Sequence, residues 1–227
     1  MSERLELDKV CVVYEGARGG HSAVEDFSLT LAAGRIGCLL GPSGCGKTTV
    51  LRAIAGFEPL HAGTVRLGDT VLSSPTVHLQ PERRRVGLMF QEYALFPHLS
   101  AGENVAFGLR RLTAAARRAR VEELLQLVDL AEAADRYPHE LSGGQQQRIA
   151  LARALAPQPA LMLLDEPFSN LDSATRERLT LEVRDILRRT GQTAILVTHN
   201  QAEARAMADD IGVMHNGRLV RWGAAEG

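Results

Sequence analysis

Gly41-Pro42-Ser43-Gly44-Cys45-Gly46-Lys47-Thr48 is the stretch of this sequence best suited to holding a chain of phosphates. A triphosphate needs several backbone N–H groups converging on it, and glycine lets the main chain wrap that closely. The apolar run Ile36–Leu40 before it reads as a strand. The residues from Lys47 to about Ala55 read as a helix, stopped by Gly56 and then Pro59. Strand, loop and helix in this order fit the P-loop pattern in full. The helix start adds partial positive charge. Lys47 supplies a point charge for the β- and γ-phosphates of a nucleotide such as ATP, and the Thr48 hydroxyl suits Mg²⁺. Cys45 reads as a small loop filler rather than a redox switch.

A second group of acids stands at the end of another apolar run. Leu161-Met162-Leu163-Leu164 leads directly into Asp165-Glu166. An acid at the mouth of a buried strand is costly unless a cation or hydrogen bonds stabilise it. Asp165 fits as an outer ligand to Mg²⁺, through water, and Glu166 then faces the γ-phosphate and polarises the attacking water. By themselves the two acids fit a helix N-cap at a strand end equally well; beside a complete phosphate loop the metal and base reading prevails.

The elements that must hold these residues follow from pattern. Leu5, Leu7, Val10 and Val12, and then residues 24–31, read as strands around a glycine-rich turn at 16–20. Residues 65–72, with Gly68-Asp69 inside, read as a small hairpin. Val121, Leu124, Leu125 and Val128 lie on one helical face. A helix is predicted from Ser142 to Leu155, ended by Pro157. Leu179, Val183, Ile186 and Leu187 mark an amphipathic helix closed by Gly191. Ala194–Thr198 is the next strand, and residues 211–215 and 218–222 flank the hairpin turn Asn216-Gly217. Strands alternating with helices predict an α/β core with a mostly parallel sheet, interrupted by a helical middle segment.

The bulk numbers exclude several classes. The 227 residues suffice for one large core. A net charge of -1 gives no basic field for nucleic acid, and none is expected as a partner. Arg83-Arg84-Arg85 reads as a solvated face. No apolar run is long enough to span a bilayer, and residues 1–4 carry no signal-peptide stretch. Cys11, Cys38 and Cys45 form no CxxC pair and read as reduced thiols.

Leu141-Ser142-Gly143-Gly144-Gln145, followed by Gln146-Gln147-Arg148, narrows the class. Ser142 with Gln145 three residues on is a capping box that fixes a helix start. Gly143 and Gly144 leave its amides bare for an anion, although an ordinary capped helix has the same text. With the phosphate loop and Asp165-Glu166, in that order, the chain resembles the nucleotide-binding domain of ABC transporters over nearly its whole length. The resemblance implies a P-loop NTPase core at about 1–90 and 157–227, an N-terminal antiparallel β subdomain and an inserted α-helical subdomain at about 92–156, all in one ATPase domain. It implies ATP and Mg²⁺ as ligands. The nucleotide set is Tyr14, which stacks on adenine, Gly41, Pro42, Ser43, Gly44, Cys45, Gly46, Lys47, Thr48 and Thr49, with Ser142, Gly143, Gly144, Gln145 and Asp172 acting across a dimer interface. Gln91 in Met89-Phe90-Gln91-Glu92 matches the glutamine that senses Mg²⁺, giving Thr48, Gln91 and Asp165 as the metal set. His199 matches the histidine that contacts the γ-phosphate, so Glu166, His199, Lys47 and Gln91 form the catalytic set. The phosphates are already held by the loop of one chain, so a second anion-seeking helix end implies a second copy packed head to tail.

The text from Gln91 to Val105 looks like the importer type, whose membrane subunit docks here; exposed Tyr93, Leu95 and Phe96 suit such a groove, with a local core contact as the lesser alternative. Partners implied are a second copy, permease subunits and a solute-binding protein, at the cytoplasmic face of the inner membrane. Gly34-Arg35-Ile36-Gly37-Cys38-Leu39-Leu40 and Glu166-Pro167-Phe168-Ser169-Asn170-Leu171-Asp172 most resemble ferric iron import ATPases, with polyamine, sulfate and sugar importers sharing much of the text. Many such relatives carry a C-terminal regulatory β-domain, expected here to be absent or cut away. DNA-repair relatives would insert a long coiled coil, and ribosome-associated ones a second head; neither feature is present between Thr48 and Leu141 or elsewhere.

Overall fold

The computed structural model describes residues 2–15 and 20–225. The expected turn at 16–20 lies mostly outside them. The strands are β1 (Leu5–Tyr14), β2 (His21–Leu31), β3 (Ile36–Leu40), β4 (Ala62–Leu67), β5 (Thr70–Ser73), β6 (Val86–Met89), β7 (Leu161–Asp165), β8 (Ala194–Thr198), β9 (Asp210–His215) and β10 (Arg218–Ala224). The helices are α1 (Lys47–Ala55), α2 (Ala101–Ala106), α3 (Ala114–Leu127), α4 (Gly143–Leu155), α5 (Ser173–Arg189) and α6 (Gln201–Met207). β2-β1-β4-β5 form an antiparallel sheet, and β10-β9-β3-β8-β7-β6 form a second sheet that is parallel except for the β9–β10 hairpin. This is the expected α/β architecture, with the helical segment α2–α4 inserted between β6 and β7.

The central strands read as unbroken apolar runs because both of their faces are buried. Ile36 and Cys38 of β3, Met162 and Leu164 of β7, and Ala194 and Leu196 of β8 point into one apolar layer with α3, α4, α5 and α6. Leu39, Leu161, Leu163, Ile195 and Val197 point the other way, into a layer with α1 and the antiparallel sheet. Period-two alternation therefore divides each strand between two cores, and the sheet is clamped from both sides. Three elements were not legible in the sequence. β6 has four residues, α2 six and α6 seven, all shorter than the window in which periodicity shows.

Arg84 corrects the reading of 83–85 as a solvated basic run. Arg83 is exposed and Arg85 pairs with Glu3 at 2.7 Å, but Arg84 is 1% exposed. Its guanidinium donates to Ala53 O and Ile54 O at 2.9 Å, Leu79 O at 2.7 Å and Ser73 Oγ at 2.8 Å. Two of those carbonyls belong to the last turn of α1, which lacks intrahelical partners. Burial pulls the Arg84 pKa down to about 10, so it stays charged at neutral pH. Gly56, with φ of 94°, leaves the space: a Cβ there would stand 2.4 Å from Arg84 Nε. Arg84→Ala strands several buried carbonyls, so urea unfolding is expected to show a loss of about 3 kcal/mol.

Candidate functional site

Residues 41–48 join β3 to α1, and two of their glycines are required by contact. A Cβ on Gly41 would sit 2.5 Å from Met214 O, and one on Gly46, at φ 102°, would sit 2.5 Å from Ala23 O. The loop therefore lies directly against β2 and the β9–β10 turn. Gly217 N donates to Cys45 O at 3.0 Å, and Glu25 N donates to Gly217 O at 2.9 Å, which backs the loop with main chain. Lys47 is 4% exposed, and its ammonium donates to Gly41 O at 2.8 Å and Pro42 O at 2.9 Å. These two carbonyls, with Cys45 Sγ at 4.0 Å, hold the ammonium against the loop.

The helix starts differ from one another in a telling way. Ser142 caps α4 through Gln145 N at 3.3 Å, with Gln145 Oε1 accepting in return from Ser142 N at 2.9 Å. Asp172 caps α5 through Thr175 N at 3.1 Å, and those backbone bonds hold its carboxyl below the usual range. Asn200 caps α6 through Ala202 N and Glu203 N. α1 starts at Gly46 with no side-chain cap. Its first amides, with the helix dipole behind them, are the donors an anion would satisfy.

A cleft of about 490 Å³ opens over this start. Ser43, Gly44, Gly46, Lys47, Thr48 and Thr49 line it, together with Tyr14 and Glu166. Tyr14 is 38% exposed, an aromatic surface on which a base could stack. His21, Ser22, Ala23, Asn216 and Gly217 also line the cleft, and sequence reasoning missed them. Asn216-Gly217 was legible as a hairpin turn, but not its place against the loop; 21–23 carry no local signal.

Asp165 and Glu166 take different positions. Thr48 Oγ1 donates to Asp165 Oδ1 at 3.0 Å. Burial, and then the neighbouring Glu166 charge, raise the Asp165 pKa, opposed mainly by the Thr48 hydrogen bond. One hydroxyl and one half-buried carboxylate oxygen side by side suit a hard cation that takes its remaining ligands from phosphate and water, which is the magnesium habit. No cluster of three His, Cys, Asp or Glu side chains stands ready for a metal among the described residues. Glu166 adopts φ of 42° and turns its carboxylate to His199, with Oε2 3.1 Å from Nδ1.

Other expected residues lie outside the cleft. Gln91 is exposed, and its carbonyl accepts from Asn170 Nδ2 at 3.3 Å. Ser142, Gly143, Gly144, Gln145 and Asp172 do not line it either. Gly144 has a packing role besides: a Cβ would stand 3.0 Å from Leu179 Cδ1, so α4 and α5 meet closely there. The expectation of an exposed Tyr93 is corrected. Tyr93 is 6% exposed, because the chain passes through φ of 58° and 48° at Tyr93 and Ala94 and folds the ring into the apolar layer. Arg153 secures that turn by donating to Tyr93 O at 2.8 Å and Ala94 O at 2.7 Å. Phe90, 43% exposed, takes its place on the surface, with Leu95 and Phe96 half-buried.

A family model described as ABC transporter matches residues 24–169. The chain belongs to the ABC transporter family. This ABC chain is 50% identical over 224 residues to the putrescine transport ATP-binding protein of Escherichia coli, covering 98% of this chain and 57% of that protein. It is 49% identical over 207 residues to the Fe(3+) ions import ATP-binding protein of Streptomyces coelicolor, covering 90% of this chain and 58% of that one. The chain thus spans less than two thirds of the length of these relatives. An ATP-binding cassette solved as a dimer in a post-hydrolysis state with ADP and Pi superposes with a TM-score of 0.84 at 31% identity, covering 98% of this chain and 99% of that one. The ABC fold expected from the motifs is therefore the fold observed.

Asp165 gives a test of the corner that it shares with Thr48. Its pKa is raised in the fold, so its contribution to stability is present at acid pH and is lost as pH rises through the raised value. At neutral pH the buried charge is a net cost. Asp165→Asn keeps the acceptor for Thr48 and removes that charge. Thermal melts without nucleotide are expected to show a higher Tm than the parent at pH 7, the gap closing as the pH falls.

Proposed function

We propose that this chain binds and hydrolyses ATP as the motor subunit of an ABC importer. The observation that carries the reading is the joint placement of Glu166: it lines the cleft over the phosphate loop and touches His199 at 3.1 Å. Tyr14 stacks on the base. Gly41, Pro42, Ser43, Gly44, Cys45 and Gly46 wrap the phosphates with main chain, and Lys47, Thr48 and Thr49 continue the hold into α1. Thr48 and Asp165 would hold Mg²⁺, with Gln91, exposed and outside the cleft in this structure, as the third member expected to join them; when bound, the ion would supply positive charge to the phosphate oxygens. Glu166 orients water and accepts its proton, and His199 steadies that carboxylate and meets the γ-phosphate. The protein's work is mostly positioning and electrostatics.

Ser142, Gly143, Gly144, Gln145 and Asp172 lie outside the cleft of their own chain, which supports completion of the site by a second copy packed head to tail. The dimeric relative bound to ADP and Pi supports the same arrangement. Among the described residues no helix is long and apolar enough to cross a membrane. Transport then needs permease subunits, received at the surface around Phe90, Leu95 and Phe96, and a solute-binding protein beyond them, with this chain at the cytoplasmic face of the inner membrane. Ferric iron is the cargo favoured by the text at 34–40 and 166–172, and the relative named for Fe(3+) supports it. The relative named for putrescine supports polyamine uptake as the second reading. Purification from membranes with the attached permease and binding protein separates the two.

Glu166→Gln is expected to lower steady-state ATP turnover by about 10²–10⁴-fold while leaving nucleotide affinity intact, as loss of a general base should. Lys47→Ala is expected to weaken nucleotide binding itself. Turnover at the parent rate in Glu166→Gln would overturn the assignment.

A further inference from the structure

Arg176 on α5 and Glu203 on α6 stand beside the catalytic end of the sheet without lining the nucleotide cleft. Glu203 is 6% exposed, a place where an acid needs a partner for its charge. Its Oε2 accepts from Thr198 Oγ1 at 2.6 Å, and its Oε1 lies 3.6 Å from Arg176 Nε. The second contact is an ion pair rather than a hydrogen bond, because the guanidinium donates elsewhere. Arg176 Nε donates to Phe168 O at 3.2 Å and Nη2 to Leu171 O at 2.7 Å. Thr198 Oγ1 in turn accepts from Asn200 N at 3.0 Å, so a single hydroxyl holds the residues on either side of His199. Asn200 Oδ1 accepts from Glu203 N and closes the ring.

The loop after β7 needs such a hold. Glu166, at φ 42°, is in a conformation that a side-chain-bearing residue keeps only where its surroundings impose it. Ser169 fixes the near side, its N and Oγ donating to Glu166 O at 3.2 and 3.0 Å. The far side, at Phe168 and Leu171, is held by Arg176. A polar cavity of about 40 Å³, bounded by Glu166, His199, Arg176 and Glu203 among others, separates this loop from α6. Phe168 anchors this loop in the apolar helix layer, but directly between Glu166 and the turn that carries His199 the lining of the cavity is polar, so polar contacts bridge that gap.

We propose that the Arg176–Glu203 pair is a positioning device that sets this spacing. Arg176 grips the main chain of the Glu166 loop, Glu203 grips the hydroxyl beside His199, and their mutual attraction keeps the two catalytic side chains in contact. Neither residue touches the reacting atoms. The inference rests on the reading of Glu166 and His199 as catalytic.

The test is steady-state ATP turnover, nucleotide affinity and Tm for Glu203→Gln, Arg176→Gln and the double variant, with Arg178→Gln, from an exposed pair on α5, as the control. Each single substitution is expected to lower kcat by about 10-fold or more, since misplacement by a fraction of an ångström is enough. Nucleotide Kd should stay within about 2-fold, and the double variant should match the singles rather than multiply them, because the pair acts as a unit. A pair that only packs α5 against α6 would lower Tm and leave kcat at the parent value; that outcome, or multiplicative losses in the double variant, overturns the proposal. Should Glu203→Gln fail to fold, Arg176→Lys tests the same device. It keeps the charge near Glu203 but lacks the fork that reaches both carbonyls, so reduced kcat at unchanged Kd supports the device and parent kcat overturns it. Full turnover in Glu166→Gln is a separate failure, of the catalytic reading rather than of the pair.

Discussion

Leu40 pairs with Thr198 across β3 and β8, and Val197 pairs with Asp165 across β8 and β7. Those two registers bring the phosphate loop, His199 and the Asp165-Glu166 acids level at one rim of the sheet. The strands are parallel, so their C-terminal ends, where the following loops leave, all lie on the same side. Register is strongly fixed here, because a slip of one residue would exchange the side chains of the two apolar layers. Leu163 and Ile195 would trade places with Leu164 and Leu196, and the helix layer and the α1 layer would both lose their fit. Chemistry at the rim is thus held in place by burial well behind it.

Beyond the rim the means of support changes. Loops that carry the functional side chains are held by directed polar contacts, since they must remain near water and a ligand. Ser142, Asp172 and Asn200 satisfy the starts of α4, α5 and α6, while α1 starts without a side-chain cap. The fold therefore concentrates unsatisfied donors at one helix end and uses side chains to quiet the others. Arginines do the corresponding work for carbonyls. Arg84 serves the end of α1, Arg153 the turn at Tyr93, and Arg176 the loop after β7. A rigid planar fork reaches well-separated acceptors in fixed directions, whereas a lysine ammonium is a compact, rotatable donor.

Local text carried much of this. The phosphate loop, the capping box at Ser142, the strand ending in Asp165-Glu166 and the turn at Asn216-Gly217 are short-range patterns, and each formed where its residues stand. The ends of β3 and β8 were legible to the residue and that of α1 closely, because a glycine or a polar group stops each apolar run. Tyr93 and Arg84 were misread for one shared reason. A tyrosine in a loop and an arginine in a basic run look exposed by type, and only the backbone turn at 93–94 and the carbonyls at the end of α1 draw them inside.

Which residues could bind phosphate, take a proton and start each helix was written locally along the chain, because those properties depend on side chains a few positions apart. Tertiary structure alone decided which of them meet. Glu166 and His199 are separated by a helix and a strand, Arg176 and Glu203 by most of that helix, the strand and the start of α6, and His21, Ser22 and Ala23 reach the phosphate loop from another sheet. Such meetings depend on strand order and on the packing of two apolar layers, and no local pattern encodes either one.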